Sequence, residues 1–146
     1  MRIYQAGPLF TEAEISWHKQ FTKELERHGY DVMWPGAFFS AEDIVSLGKD
    51  AAKTIMETDR DAIDRADVVV ALLDGAMVDD GTAWEIGYAY AKGKVIVGLR
   101  TDCRQGGDTP LSRVNAMIEA SVTLVASREE VLALLEEHAK TFGILV

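Results

Sequence analysis

The sequence predicts an α/β fold, a flavodoxin-like three-layer sandwich around a five-stranded parallel sheet in the order 2-1-3-4-5. Three observations predict it. Five short runs of apolar and β-branched residues recur along the chain, and segments with helical spacing lie between them. One run, Asp67 to Asp74, is almost continuously apolar, as a central parallel strand buried on both faces would be. No internal repeat, low-complexity tract or linker divides the 146 residues, so residues 1–146 are expected to form one domain.

The elements follow in order. Arg2 to Ala6 reads as the first strand, closed by Gly7-Pro8. Ile15, Phe21 and Leu25 then recur among charged neighbours, and Gly29 stops the helix. His18 and His28 are placed on its polar face or end. Tyr30 to Trp34 is the second strand, ended by Pro35-Gly36. Residues 37–48 fit a loop with a short helix, or a lid. A helix is expected from about Lys49 to Arg65, with Asp61 and Arg65 spaced for an i,i+4 pair. Asp64 and Asp67 face water or shape the following turn. After the central strand, a loop over 75–81 leads into a helix from Thr82 to Ala91, stopped by Gly93. Val95 to Leu99 is the fourth strand. A polar loop covers 101–109, a helix is expected over Leu111 to Ala120, and Ser121 to Val125 is the fifth strand. Ser127 and Glu130 form a capping box for the last helix.

Composition narrows the function classes. Hydrophobic residues make up 48% and charged residues 27%, as in an ordinary packed protein. The net charge of −9 argues against nucleic acid, whose phosphates need clustered Lys and Arg, and against an anionic membrane surface. No apolar run is long enough to span a bilayer, and the first strand begins too early to leave room for a signal peptide. Cys103 is the single cysteine, so no internal disulfide or Cys-based metal cage can form. The three histidines suit no metal site, and no GxGxxG or P-loop occurs. A cytoplasmic protein acting on a small molecule, without metal or cofactor, is expected.

In an open parallel sheet the ligand sits beyond the C-terminal ends of the strands. Three segments meet that condition: Tyr4 to Pro8, Asp74 to Glu85, and the loop from Arg100 to Asp108. The middle one places Asp79, Asp80 and Glu85 within seven residues at a helix start. Acids suit a first helical turn because they complement its dipole, and for Asp80 that reading and a functional one stand level. Glu85 lies a turn further in, between Trp84 and Ile86. It is either an exposed residue of an amphipathic helix or a carboxylate aimed into a pocket.

Taken together, Ile3-Tyr4-Gln5-Ala6-Gly7-Pro8, Asp59 through Val68, Asp79-Asp80-Gly81-Thr82-Ala83-Trp84-Glu85-Ile86-Gly87 and Asn115-Ala116-Met117 resemble the nucleoside 2-deoxyribosyltransferases over nearly the whole chain. The resemblance implies Glu85 as the catalytic nucleophile and Tyr4 as the phenol that orients it. It implies Asp59 as the acid near the leaving base, with Asp61 as the alternative register. Asp79 would hold the sugar 5′-hydroxyl, and Gly7 and Gly81 would line the substrate site. Asn115 and Met117 would be lent to a neighbouring subunit, so a homo-oligomer is implied. The apolar run Phe142 to Val146 is expected at such an interface or at the end of the core.

The substrates implied are 2′-deoxynucleosides and free nucleobases. Cleavage at C1′ gives the sugar oxocarbenium character, which a carboxylate beneath it can stabilise and then trap covalently. A second carboxyl group can protonate the departing base. Tyr4 and the helix start are expected to keep Glu85 ionised. Asp79 would repel a 5′-phosphate. The alternatives are a nucleoside or nucleotide 5′-monophosphate N-glycosidase that uses water, and a non-catalytic nucleotide-sensing module.

Overall fold

A computed structural model describes residues 1–141 and 143. Its sheet has five strands, β1 (Arg2–Ala6), β2 (Asp31–Met33), β3 (Val68–Leu72), β4 (Val95–Leu99) and β5 (Thr123–Val125). All neighbours are parallel and the order is β2-β1-β3-β4-β5, as the sequence predicts. Every residue of β3 is buried, which explains its unbroken apolar composition.

Alternation along the strands sends side chains to two cores. Tyr4, Ala6, Val69 and Ala71 pack beneath α3 (Ala51–Arg65) and α4 (Asp80–Ala91). Ile3, Val68, Val70 and Leu72 pack with Phe21 and Leu25 of α1 (Glu12–Arg27) and Val131 and Leu135 of α6 (Arg128–Thr141). Helices on both faces make the three layers. β1 lies between β2 and β3, and the strand order reverses there.

Local chemistry fixes the helix starts. Thr11 and Glu14 form a capping box at α1. At α6 only half of the expected box forms. Ser127 Oγ accepts from Glu130 N at 3.2 Å, while the Glu130 carboxylate reaches back to Ala126 N at 2.7 Å. Residues 37–48 resolve into a 3-10 turn (Pro35–Ala37) and a short helix, α2 (Ala41–Leu47), capped by Ser40 and Asp43.

Three expectations are corrected. His18 is wholly buried rather than on a polar face, because Gln5 of β1 supplies a polar partner inside the core. Asp61 pairs with Arg60 at 2.8 Å instead of with Arg65. The helix expected over 111–120 shrinks to α5 (Ala116–Glu119). Asn115 takes the N-cap position there, and the Glu119 carboxylate accepts from Arg113 N and Val114 N, which ends the helix on its N-terminal side. Of the C-terminal apolar run only Gly143 is described, so its expected packing lies outside the described residues. Among the described residues no helix is long and apolar enough to cross a membrane.

Candidate active site

The site is built from β1 outward. Tyr4 points to the α3/α4 side of the sheet and is completely buried. Its hydroxyl donates to Glu85 Oε1 at 2.7 Å across 81 positions of sequence. Glu85 lies in the second turn of α4, on the flank between buried Thr82 and Ile86 and exposed Gly81. That flank opens on a cavity of about 360 Å3, within the size range of small-molecule sites.

Asp59, Asp79 and Glu85 supply the carboxylates of the cavity, and Gly7, Gly81 and Thr82 complete its polar wall. The rest of the lining is apolar, from Leu9, Phe10, Pro35, Gly36, Phe39, Ile44 and Ile55. Asp59 faces inward from α3, whereas Asp61 is exposed and paired with Arg60. Of the two, only Asp59 lines the cavity.

Asp79 is the N-cap of α4. Its Oδ2 accepts from Thr82 N at 2.8 Å and from Thr82 Oγ1 at 2.9 Å, leaving Oδ1 for a ligand. Gly7 closes β1 with φ of +151°, a conformation that L side chains rarely adopt.

Electrostatics set this cavity apart. Burial pushes the Glu85 carboxyl up to about 8. The Tyr4 hydrogen bond works in the opposite direction, but nearby Asp59 and Asp79 add to the rise. This runs against the expectation that Tyr4 and the helix start keep Glu85 ionised, because desolvation outweighs the Tyr4 hydrogen bond. Burial alone raises Asp59 to about 6. Tyr4 is pushed far above the ordinary phenol range by burial and then by the charges of Glu85 and Asp59, so it stays a donor. Such a group of acids in a cleft holds a proton that chemistry can move.

Asn115 and Met117 do not enter this cavity. They line a second one, of about 510 Å3, on the other flank of α4 together with Asp80, Ala83, Arg100 and Asp108. Asn115 caps α5 and donates to Asp108 at 3.1 Å, and Met117 is 78% exposed. Among the described residues no three His, Cys, Asp or Glu side chains come together as a metal ion would need.

Sequence reasoning missed the apolar wall. Phe39 and Ile44 come from the segment it left between loop and lid. Their signal is that they are apolar residues in a stretch that joins no strand of the sheet.

A family model for nucleoside 2-deoxyribosyltransferases matches residues 3–137. The chain belongs to that family. An uncharacterised protein of Ureaplasma parvum serovar 3 is 36% identical over 102 residues, a stretch that spans 62% of this chain and 60% of that protein. A conserved protein of Enterococcus faecalis V583 superposes with a TM-score of 0.79 at 28% identity, covering 94% of this chain and 98% of its own. The 2-deoxyribosyltransferase of Leishmania mexicana superposes at 0.72 with 24% identity, over 94% and 97% of the two chains. The CMP N-glycosidase BcmB of Clostridium botulinum shares the fold at 0.53 with 22% identity, over 93% and 99%.

Proposed function

We propose that the protein transfers the 2-deoxyribosyl group between nucleobases by a retaining double displacement through a deoxyribosyl–Glu85 ester. The observation that carries the reading is the Tyr4–Glu85 hydrogen bond of 2.7 Å in a cavity that also holds Asp59 and Asp79.

In the first half, a Glu85 oxygen forms a bond to C1′ as the C1′–N bond breaks. The bonding pair leaves on the base nitrogen, and Asp59 gives that base its proton. In the second half, a nitrogen of the incoming base attacks C1′ from the original face. Its proton returns to Asp59, and the C1′–Oε bond breaks to restore the carboxylate. Two inversions give overall retention.

Burial raises the pKa of both carboxyls, and Glu85, with the higher value, holds the proton first, so the reaction needs that proton to pass to Asp59. Near neutral pH the Asp59–Glu85 pair holds about one proton. Positive charge developing at C1′ favours the anion at Glu85, and negative charge developing on the base favours the proton at Asp59. Asp79 Oδ1 accepts the 5′-hydroxyl. A second negative group there would be repelled, so nucleosides are preferred to 5′-monophosphates. The exposed Asn115–Met117 segment completes a neighbouring subunit's cavity. Its absence from the Glu85 cavity of its own chain supports that assignment.

The test is a chromatographic assay of deoxyinosine with and without free adenine. Transfer yields deoxyadenosine. Hypoxanthine released at the same rate with or without adenine, and no deoxyadenosine, would instead establish hydrolysis. A higher kcat/KM on deoxyinosine 5′-monophosphate than on deoxyinosine would refute the role given to Asp79.

A further inference from the structure

Two walls of the Glu85 cavity are glycine backbone, at Gly7 and Gly36. Both rest on aromatic rings. A Cβ added to Gly7 would stand 2.5 Å from His18 Cε1 and 2.6 Å from His18 Nε2. A Cβ added to Gly36 would run into the Trp34 indole. The two rings also stack on each other, with centroids 5.9 Å apart and planes inclined by 18°. His18 is fully buried and Trp34 is 7% exposed, so a single rigid block backs both walls.

The block is tied to the strand that carries Tyr4. Gln5 Nε2 lies 2.8 Å from His18 Nδ1 and donates to the His18 carbonyl at 3.1 Å. Thr22 Oγ1 lies 2.9 Å from Gln5 Oε1 and 2.8 Å from the His18 carbonyl, and because that carbonyl can only accept, it fixes the amide with its NH2 toward His18. Nδ1 therefore accepts, and the ring proton sits on Nε2. Nε2 has no well-aligned partner, and the acceptor it faces is the carbonyl of Pro8, next to Gly7. Burial lowers the imidazole to about 4, so the ring is neutral and can sit in the core. β1 thus serves both faces of the sheet. Tyr4 aims the Glu85 carboxyl, and Gln5 anchors the ring behind the wall.

We propose that His18 is a positioning residue: its ring, stacked on Trp34, holds the Gly7 and Gly36 walls at the separation that sets C1′ over Glu85. The inference rests on the reaction proposed above. The effect falls on kcat, because alignment at C1′ is lost while the apolar lining from Phe39, Ile44 and Ile55 stays unchanged. A displacement of about 1 Å is enough to slow such a reaction by roughly 100-fold.

The test compares His18→Leu with His18→Phe. Both deprive Gln5 of its ring partner and both are apolar, but only Phe offers a flat ring to Trp34. We expect His18→Phe to keep at least a third of the wild-type kcat, roughly. His18→Leu is expected to fall by about tenfold or more, with KM within roughly threefold and a melting midpoint close to that of His18→Phe. Equal kcat values in the two variants would overturn the proposal, since a purely structural role would move them together. A second readout needs no activity. The Ala37 and Phe38 amides donate to the Trp34 and Pro35 carbonyls in the turn that carries Gly36. Their hydrogen exchange should be about fivefold faster or more in His18→Leu than in His18→Phe, and equal rates would refute the proposal. If wild-type protein neither transfers nor hydrolyses, the functional reading fails and the exchange rates decide the role of His18.

Discussion

The two flanks of α4 carry the same residue types and treat them in opposite ways. On the Glu85 side, Asp59, Asp79 and Glu85 share a cavity whose lining contains no cation among the described residues. On the other side, in the loops after β3 and β4 whose residues line the second cavity, two carboxylates are well supplied with donors. Asp74 accepts from Thr101 N at 2.7 Å and Asp102 N at 2.9 Å, and also from the Thr101 hydroxyl. Asp102 accepts from Gly75 N at 3.2 Å and pairs with Arg104, which holds it well below the usual carboxylate range. Arg100, 1% exposed, donates to the carbonyls of Leu73, Gly75 and Arg104 and so fastens the β3 and β4 loops together. A carboxylate given donors becomes a structural staple. One that is desolvated without a cation keeps a proton near neutral pH. Partners, not residue type, separate the reactive flank from the structural one.

The largest expected effect is at the nucleophile. Glu85→Gln should lower base exchange by about 1000-fold or more in the chromatographic assay, because both halves of the reaction pass through that oxygen. Asp74→Ala, in the donor-rich loops, should lower it by no more than roughly tenfold. Comparable losses from the two would erase the distinction between the flanks.

Next come the groups that tune Glu85. Asp59→Asn should cost about 100-fold for bases that leave only when protonated. It should also reshape the pH profile of kcat/KM. The wild-type profile is expected to be a bell with limbs near 6 and 8. Without Asp59 a single limb should remain, rising with pH and lying below 8, since one charge that raises Glu85 is gone. Tyr4→Phe removes the one contact that lowers Glu85, so its limb should move to higher pH. A limb that stays in place would detach Tyr4 from the carboxylate.

Subunit mixing sharpens the comparison from the other flank. Glu85→Ala and Asn115→Ala proteins, each impaired alone, should regain activity when their subunits are exchanged. In the mixed oligomer one cavity takes Glu85 from one chain and Asn115 from the other. No recovery, with exchange of subunits verified by mass spectrometry, would return Asn115 to a purely structural role as the cap of α5.

The smallest effects are on stability, and here the flanks should differ in sign. Glu85 has a raised folded-state value. Its favourable contribution is complete below its unfolded value of about 4.5 and is lost as pH rises through about 8. Glu85→Gln should therefore melt higher than wild type at pH 9, by about 2 kcal/mol or several degrees, with the gap closing near pH 5. Asp74→Ala should melt lower at both pH values by about 1–3 kcal/mol, because it strands two backbone N–H groups. Thermal melts at the two pH values check both signs.

Much of the fold could be read in advance because its signals are local. The unbroken apolar run of β3, the punctuation at Gly7-Pro8, Pro35-Gly36 and Gly93, and helical spacing between strands each depend on a few adjacent residues. The failures share one cause. His18 was placed on a polar face because its partner, Gln5, is 13 positions away and becomes a neighbour only when α1 packs on β1. The helix over 111–120 was overextended because Glu119 turns back onto Arg113 and Val114.

By itself the sequence determined the alternating strands and helices of a parallel α/β fold and a block of acids at the start of one helix, because periodicity and turn chemistry act over short range. Only the tertiary structure decided that Asp59 rather than Asp61 turns inward, that Asn115 and Met117 lie across α4 from Glu85, and that Glu85 holds its proton to about 8. These outcomes depend on burial and on charges brought together from α3, α4 and β1, and desolvation of a carboxylate is a property of its surroundings rather than of its neighbours in the chain.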